Sequence, residues 1–207
     1  MVRIMNAVVR RPCVGFGAFS LIELLVVVAV LGILLVLALP AVRSVLDSQA
    51  LALAGRLISD ELALARQEAL TRNRLVELRI FRVPAGNGTW KAVQRFYDGR
   101  EGTTALSRLQ KLPGNTQISS PLSPLLDLLV TNSATRVLGT NVPQLGGDVD
   151  YVSVRFQPTG ELDWSVRGTN SYLTVVLERD AARSEPPPNF ASILVNPATG
   201  RATLFRP

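Results

Sequence analysis

Ala18-Phe19-Ser20-Leu21-Ile22-Glu23-Leu24-Leu25-Val26-Val27-Val28-Ala29-Val30-Leu31-Gly32-Ile33-Leu34-Leu35-Val36-Leu37-Ala38-Leu39-Pro40 is the stretch on which the reading of this chain turns. Leu24 to Leu39 is 16 residues without a charge, and the 21 residues from Phe19 to Leu39 carry only Glu23. As an α-helix at about 1.5 Å per residue, such a run spans roughly 32 Å, the hydrocarbon thickness of a bilayer. The segment is therefore long enough to cross a membrane. Glu23 lies inside the apolar run rather than at its edge. A charge at the centre of a spanning helix costs on the order of 3 kcal/mol, and one near the end costs less. Some interaction must offset that cost.

The run Ala18-Phe19-Ser20-Leu21-Ile22-Glu23 resembles the processing site of type IV pilins and pseudopilins. In that family a prepilin peptidase cuts before a Phe, the new N-terminus is methylated, and a Glu follows four residues after the Phe. The resemblance implies a cut between Ala18 and Phe19, methylation of Phe19, and an assembly role for Glu23. Gly32 and Pro40 also stand where the family often has Gly and Pro. Where the family usually has Gly before the cut, this chain has Ala18, with Gly17 one residue earlier. Within a filament the Phe19 amine and a Glu23 carboxylate would pair in low dielectric. A buried pair is tolerated when both partners are present, and breaking it is costly. The alternative is an ordinary signal anchor with an acid near its end. A conventional secretory cleavage site after the apolar run is poorly formed at Leu39-Pro40-Ala41. Cys13 precedes the run, which is the wrong side for a lipoprotein signal.

The residues before the cut, Met1 to Ala18, hold Arg3, Arg10 and Arg11 and no acid, half of the net charge of +6. That charge favours retention of this end in the cytoplasm and places the C-terminal part across the membrane. Cys13 is the only cysteine and would leave with the leader, and there is no histidine. The exported part is expected to hold together by its core alone, without disulfides. A length of 207 residues suits one modest domain plus an anchor.

From Ala41 to Asn73 the polarity changes but the helical period continues. Leu51, Ala54, Ile58, Leu62, Ala65 and Ala69 recur at three- and four-residue steps and share one face. Leu53, Leu57 and Leu64 are expected to widen that stripe. Pro40 removes one backbone bond and is expected to kink the helix rather than end it; two helices hinged at Pro40 are the alternative. After Asn73 the period changes to two. Val76, Leu78 and Ile80 alternate with Glu77 and Arg79, the pattern of a half-buried strand. Trp90–Tyr97 reads as its hairpin partner. Val152, Val154 and Phe156 mark a later strand, Leu162–Val166 and Ser171–Glu178 two more, and Phe190–Val195 with Ala202–Phe205 a closing pair. Residues 103–150, rich in Pro and Gly, read as loops with one or two short elements, Leu122–Val130 among them as a buried helix or strand.

Ala65-Arg66-Gln67-Glu68-Ala69, Phe156-Gln157-Pro158-Thr159-Gly160 and Ile193-Leu194-Val195-Asn196-Pro197-Ala198-Thr199-Gly200-Arg201 are similar to stretches of the GspH/FimT type of minor pseudopilin. The resemblance implies an α+β, pilin-like fold: a long N-terminal helix packed against an antiparallel β-sheet head. It divides the chain into a leader (1–18), a transmembrane half-helix (19–40), a second half-helix (41–73) and a head (74–207) with a variable insert (103–150). The implied role is a structural subunit of a type IV pilus or type II secretion pseudopilus, with a single pass in the bacterial inner membrane and the head in the periplasm. The implied partners are other pilins or pseudopilins, prepilin peptidase and the inner-membrane assembly platform.

Catalysis is not indicated. Without His or exported Cys, the head lacks the commonest catalytic base, a thiol nucleophile and the usual zinc ligands. The pairs Glu161/Asp163 and Asp148/Asp150 read as turn residues rather than an acid–base pair or a cation site. No cofactor is expected. The competing reading is a FimT-like DNA-binding subunit for DNA uptake. It rests on Arg179, Arg183, Arg201 and Arg206, which cluster in sequence and suit phosphate contacts, with Phe190 and Phe205 as stacking platforms. The bland reading of those arginines is a solvated rim balanced by Glu178, Asp180 and Glu185.

Overall fold

A computed structural model describes residues 20–84, 88–99, 102–163 and 171–207, with the side chains of 37–41 excepted. The expected leader, the cut at Ala18/Phe19 and most of the strand expected at Leu162–Val166 lie outside the described residues. The chain divides into two compact units, Met1–Arg43 and Ser44–Pro207.

Helix α1 runs from Leu21 to Arg72, 52 residues, and is helical through Pro40. Its composition accounts for this: Ala and Leu dominate, and both favour helix. Asn73 then adopts a left-handed φ of 51°, and the Arg74 amide donates to the Ala69 carbonyl, closing the helix end. In the first unit the apolar side chains from Leu21 to Val36 are all exposed. In the second unit the six residues of the expected stripe, Leu51, Ala54, Ile58, Leu62, Ala65 and Ala69, are completely buried. Leu57 is half-buried at the edge of that stripe, but Leu53 and Leu64 are 57% and 40% exposed. They project off the packed arc of the helix, so they do not widen the stripe as their apolarity suggests.

Among the described residues ten strands form one antiparallel sheet. They are β1 (Val76–Val83), β2 (Thr89–Gly99), β3 (Gly102–Ala105), β4 (Gln110–Lys111), β5 (Thr116–Ile118), β6 (Arg136–Val142), β7 (Gly147–Phe156), β8 (Tyr172–Leu177), β9 (Ala191–Val195) and β10 (Ala202–Phe205). The main path is β10-β9-β8-β5-β2-β1-β7-β6, with β3 and β4 on β2 beside it. One face of the sheet lies on α1. Val76, Leu78 and Ile80 pack there with Val152, Val154, Phe156, Leu173, Val175, Ile193 and Val195. The alternating pattern of the sequence places these strands correctly.

Two expectations fail in the sheet. Strand β1 is not half-buried, since its second face is covered as well: Phe81 is buried, and Glu77 is 5% exposed. Phe81, Ala92, Val149 and Tyr151 form a second apolar cluster on that outer face, topped by Leu109, Val142 and Leu145. Residues 103–150 are also more than loops. They supply β3, β4, β5, β6, the start of β7 and helix α2 (Pro124–Thr131). Leu125, Leu126 and Leu129 of α2 are buried in the α1 side of the core, so the helical option for Leu122–Val130 is the one realised. The two-residue β4 and three-residue β5 are set by their pairing with β2 and β8, which a local period does not reveal.

Candidate functional site

Three parts of the molecule bear on function, and the first is the start of α1. The Leu24 amide donates to the Ser20 carbonyl at 3.1 Å, and Glu23 lies in the first helical turn. A carboxylate there faces unpaired helix N–H groups, worth about 0.3–1 kcal/mol in water. Its neighbours are an apolar sleeve, with Leu21 and Ile22 at 87% and 70% exposure. Among the described residues, no helix is long and apolar enough to cross a membrane. The span expected at 19–40 takes in Phe19 and the side chains of 37–40, which lie outside the described residues, as does the amine expected to pair with Glu23.

The second part is a clasp at the C-terminal end of α1, where the three head stretches singled out in the sequence meet. Arg66 donates from Nε to the Thr199 carbonyl at 2.6 Å. The turn at 157–160 and the β9–β10 turn lie back to back, joined by the Leu162 amide donating to the Pro197 carbonyl at 2.9 Å. Gly160 (φ 81°) and Gly200 (φ 66°) are both left-handed. A Cβ on Gly200 would stand 2.0 Å from the Gly160 carbonyl oxygen, so the contact requires glycine. These stretches thus form a structural joint.

The third part is an ionic network missed in the sequence. Glu61 is on the buried side of α1. It accepts from Arg95 Nε at 2.7 Å and from Gln110 Nε2 at 2.6 Å. Arg95 also reaches Glu68 at 3.8 Å, Glu68 pairs with Arg72 at 2.6 Å, and Arg72 lies 5.5 Å over the Tyr97 ring. The chain of contacts fixes α1 against β2 and β4. One signal was available: Glu61 stands three residues after Ile58 and four before Ala65, on the edge of the buried stripe. On the outer face of the sheet, Arg79 pairs with Glu77 and stacks 4.0 Å over Phe96 and 4.6 Å over Tyr151. Burial raises the Tyr151 pKa above its usual value of 10, with Arg79 opposing the shift.

Three of the four arginines of the DNA reading come together around Asp47, Ser48 and Asp180, each held by a protein partner, and Arg201 lies apart from them. Arg179 pairs with Asp47 at 2.8 Å, Arg183 with Asp180 at 3.1 Å, and Arg206 donates to the Ser48 carbonyl at 2.9 Å. Arg201 instead follows Gly200 at the clasp beside Arg66. Ser48 and Arg66 are 18 residues apart on α1, about 27 Å of helix. Phe205 is exposed and Phe190 half-buried. Glu161 and Asp163 both follow the tight turn at 157–160, and the Gln157 side chain donates to Asp163 at 3.3 Å. Asp150 is buried and accepts from the Gly139 amide at 3.1 Å. Among the described residues no group of acids, His or Cys is placed to hold a metal ion.

A long helix whose second half is wrapped by an antiparallel sheet, and whose stretch Leu21–Val36 exposes apolar side chains with one acid in its first turn, defines a pilin-like subunit of the α+β class. A family model for the type II transport protein GspH matches residues 54–199, and the chain belongs to that family. It is a minor pseudopilin or pilin, a structural subunit of the kind that assembles with other pilin-type subunits. The minor pseudopilin EpsH from the type 2 secretion system of Vibrio cholerae matches with a TM-score of 0.43 and 12% identity, over 76% of this chain and 97% of that one. The type IV minor pilin FimU of Pseudomonas aeruginosa matches with a TM-score of 0.42 and 14% identity, over 76% of this chain and 92% of that one. No curated protein sequence matches the chain.

Proposed function

We propose that the chain is made as a precursor, cut between Ala18 and Phe19 by a prepilin peptidase, methylated on Phe19, and held in the bacterial inner membrane by residues 19–40. Its head then stands in the periplasm until an inner-membrane platform draws the subunit into a pilus or pseudopilus. The observation that carries this reading is the exposed apolar sleeve from Leu21 to Val36 with Glu23 as its one acid. Fourteen solvent-facing apolar side chains within sixteen successive residues are unstable in water and need lipid or sister helices around them. Glu23 four residues after Phe19 gives a cleaved neighbour's amine a partner there. Intact mass of the protein extracted from membranes is the test. Loss of residues 1–18 plus the mass of one methyl group is expected, and a mass corresponding to the whole chain from Met1 overturns the reading. In the same preparation, Glu23→Ala is expected to insert normally but to be depleted from sheared filaments or co-purified subunit complexes. Wild-type recovery of that variant would remove the pairing role from Glu23.

A further inference from the structure

The outer face of the sheet carries a groove to which the proposed function assigns no role. Two depressions of about 590 and 290 Å³ adjoin each other and share Gln94 and Gln144. The larger is walled by Ser107, Arg108, Leu109 and Lys111, and the smaller continues over Phe96 towards Asn141 and Val142. Three cations line the groove, Arg79, Arg108 and Lys111, and no carboxylate does. Arg79 is committed to Glu77, whereas Arg108 and Lys111 are exposed and have no ion pair among the described residues. Such an arrangement leaves two cations and two side-chain amides over a partly apolar floor, within the size range of ligand pockets.

We infer that this groove docks an extended acidic segment of a partner protein, whose carboxylates pair with Arg108 and Lys111 and whose backbone meets Gln94 and Gln144. Charge complementarity carries the choice of occupant. The Gln94 side chain already donates to the Ser107 carbonyl at 2.9 Å, which leaves its oxygen as an acceptor for a peptide N–H. Single-stranded nucleic acid fits less well. It needs open aromatic faces on which bases stack, but Phe81 is buried and Phe96 is covered by Arg79 at 4.0 Å. Two unpaired cations are also few for a phosphate backbone. The inference is independent of processing at Phe19, so the intact-mass experiment leaves it untouched.

The test uses the full chain in neutral detergent and fluorescence anisotropy with three labelled probes: an eight-residue Glu-Leu alternating peptide, its Gln-Leu counterpart, and a 20-nucleotide single-stranded DNA. The expected result is binding of the Glu-Leu peptide, at least tenfold weaker binding of the Gln-Leu peptide, and at least a tenfold loss with Arg108→Glu/Lys111→Glu. Arg56→Glu, on α1 and outside the groove, is the control expected to bind as wild type. Circular dichroism reports whether each variant is folded; if the double charge reversal is not, Arg108→Gln and Lys111→Gln, each expected to weaken binding about threefold or more, take its place. No binding of the Glu-Leu peptide, binding that survives the folded variants, or binding of DNA alone that the variants abolish would each overturn the inference.

Discussion

At the scale of the residue, the most consequential side chain in the head is an acid that the sequence disguises. Glu61 sits where a helical period allows either an edge position or solvent, and a carboxylate is ordinarily read as solvent-facing. Its partners, Arg95 and Gln110, lie 34 and 49 residues away in sequence, so no local pattern announces them. Removing one member of a buried pair strands the other, at about 3–5 kcal/mol, whereas replacing both with apolar groups of similar volume is often nearly neutral. Glu61→Leu is therefore expected to lower unfolding stability by about 3 kcal/mol, and adding Arg95→Met to recover most of the loss. In the double variant the Gln110 amide loses its Glu61 acceptor and Glu68 loses Arg95, so full recovery is not expected. Urea unfolding of the three proteins reads both values. Tyr151 gives a second residue-level expectation. Its pKa is raised above 10 by burial, so the folded state holds the phenol proton more tightly than the unfolded chain does. That contribution is complete below pH 10 and is lost as pH rises through the folded value. Stability is expected to fall on the alkaline side of pH 10, and Tyr151→Phe to flatten that fall. Unfolding curves at pH 9, 10 and 11 compare the slopes.

At the scale of the element, the legibility of α1 and its limits have one cause. The stripe from Leu51 to Ala69 was readable because three- and four-residue spacing maps directly onto one side of a helix. Leu53 and Leu64 were misread because apolarity alone does not say which arc of a helix is covered, and surface leucines are ordinary. Strands β1, β7, β8 and β9 were readable from alternation, although the second buried face of β1 was not, because Glu77 and Arg79 satisfy each other under a cover supplied by distant residues. The joint at Gly160 and Gly200 was visible only as turn composition; that the turns meet each other and Arg66 is a property of the closed sheet. The two leucine classes separate by mutation. Ile58→Ala is expected to destabilise the head by 2–5 kcal/mol as a large-to-small change in a packed core, and Leu53→Ala by less than about 0.5 kcal/mol. Equal losses in thermal unfolding would mean that the sheet covers a wider arc of α1 than these positions indicate.

At the scale of the whole molecule, the division at Arg43/Ser44 separates two kinds of stability. Every described core residue of the second unit lies at or after Leu51. The contacts that tie the beginning of its helix to the sheet use Asp47 and Ser48, through Arg179 and Arg206. Among the described residues the core of the head is therefore supplied by the second unit itself. The part from Ser44 onward keeps the helix stripe, the sheet, the Glu61 network and both apolar clusters. It has no cysteine, so its folding does not depend on an oxidant. A chain starting at Ser44 is expected to be soluble and monomeric by size-exclusion chromatography and to unfold in one cooperative transition. The full chain is expected to require detergent, because its exposed sleeve associates with itself in water. The shortened protein retains Leu53 and Leu64 on the open side of α1, and two isolated leucines are too small a patch to drive association at micromolar concentration. Precipitation of the shortened chain, or a broad transition without a baseline, would show that the first unit stabilises the head, and the separation of anchor from head would then have to be abandoned.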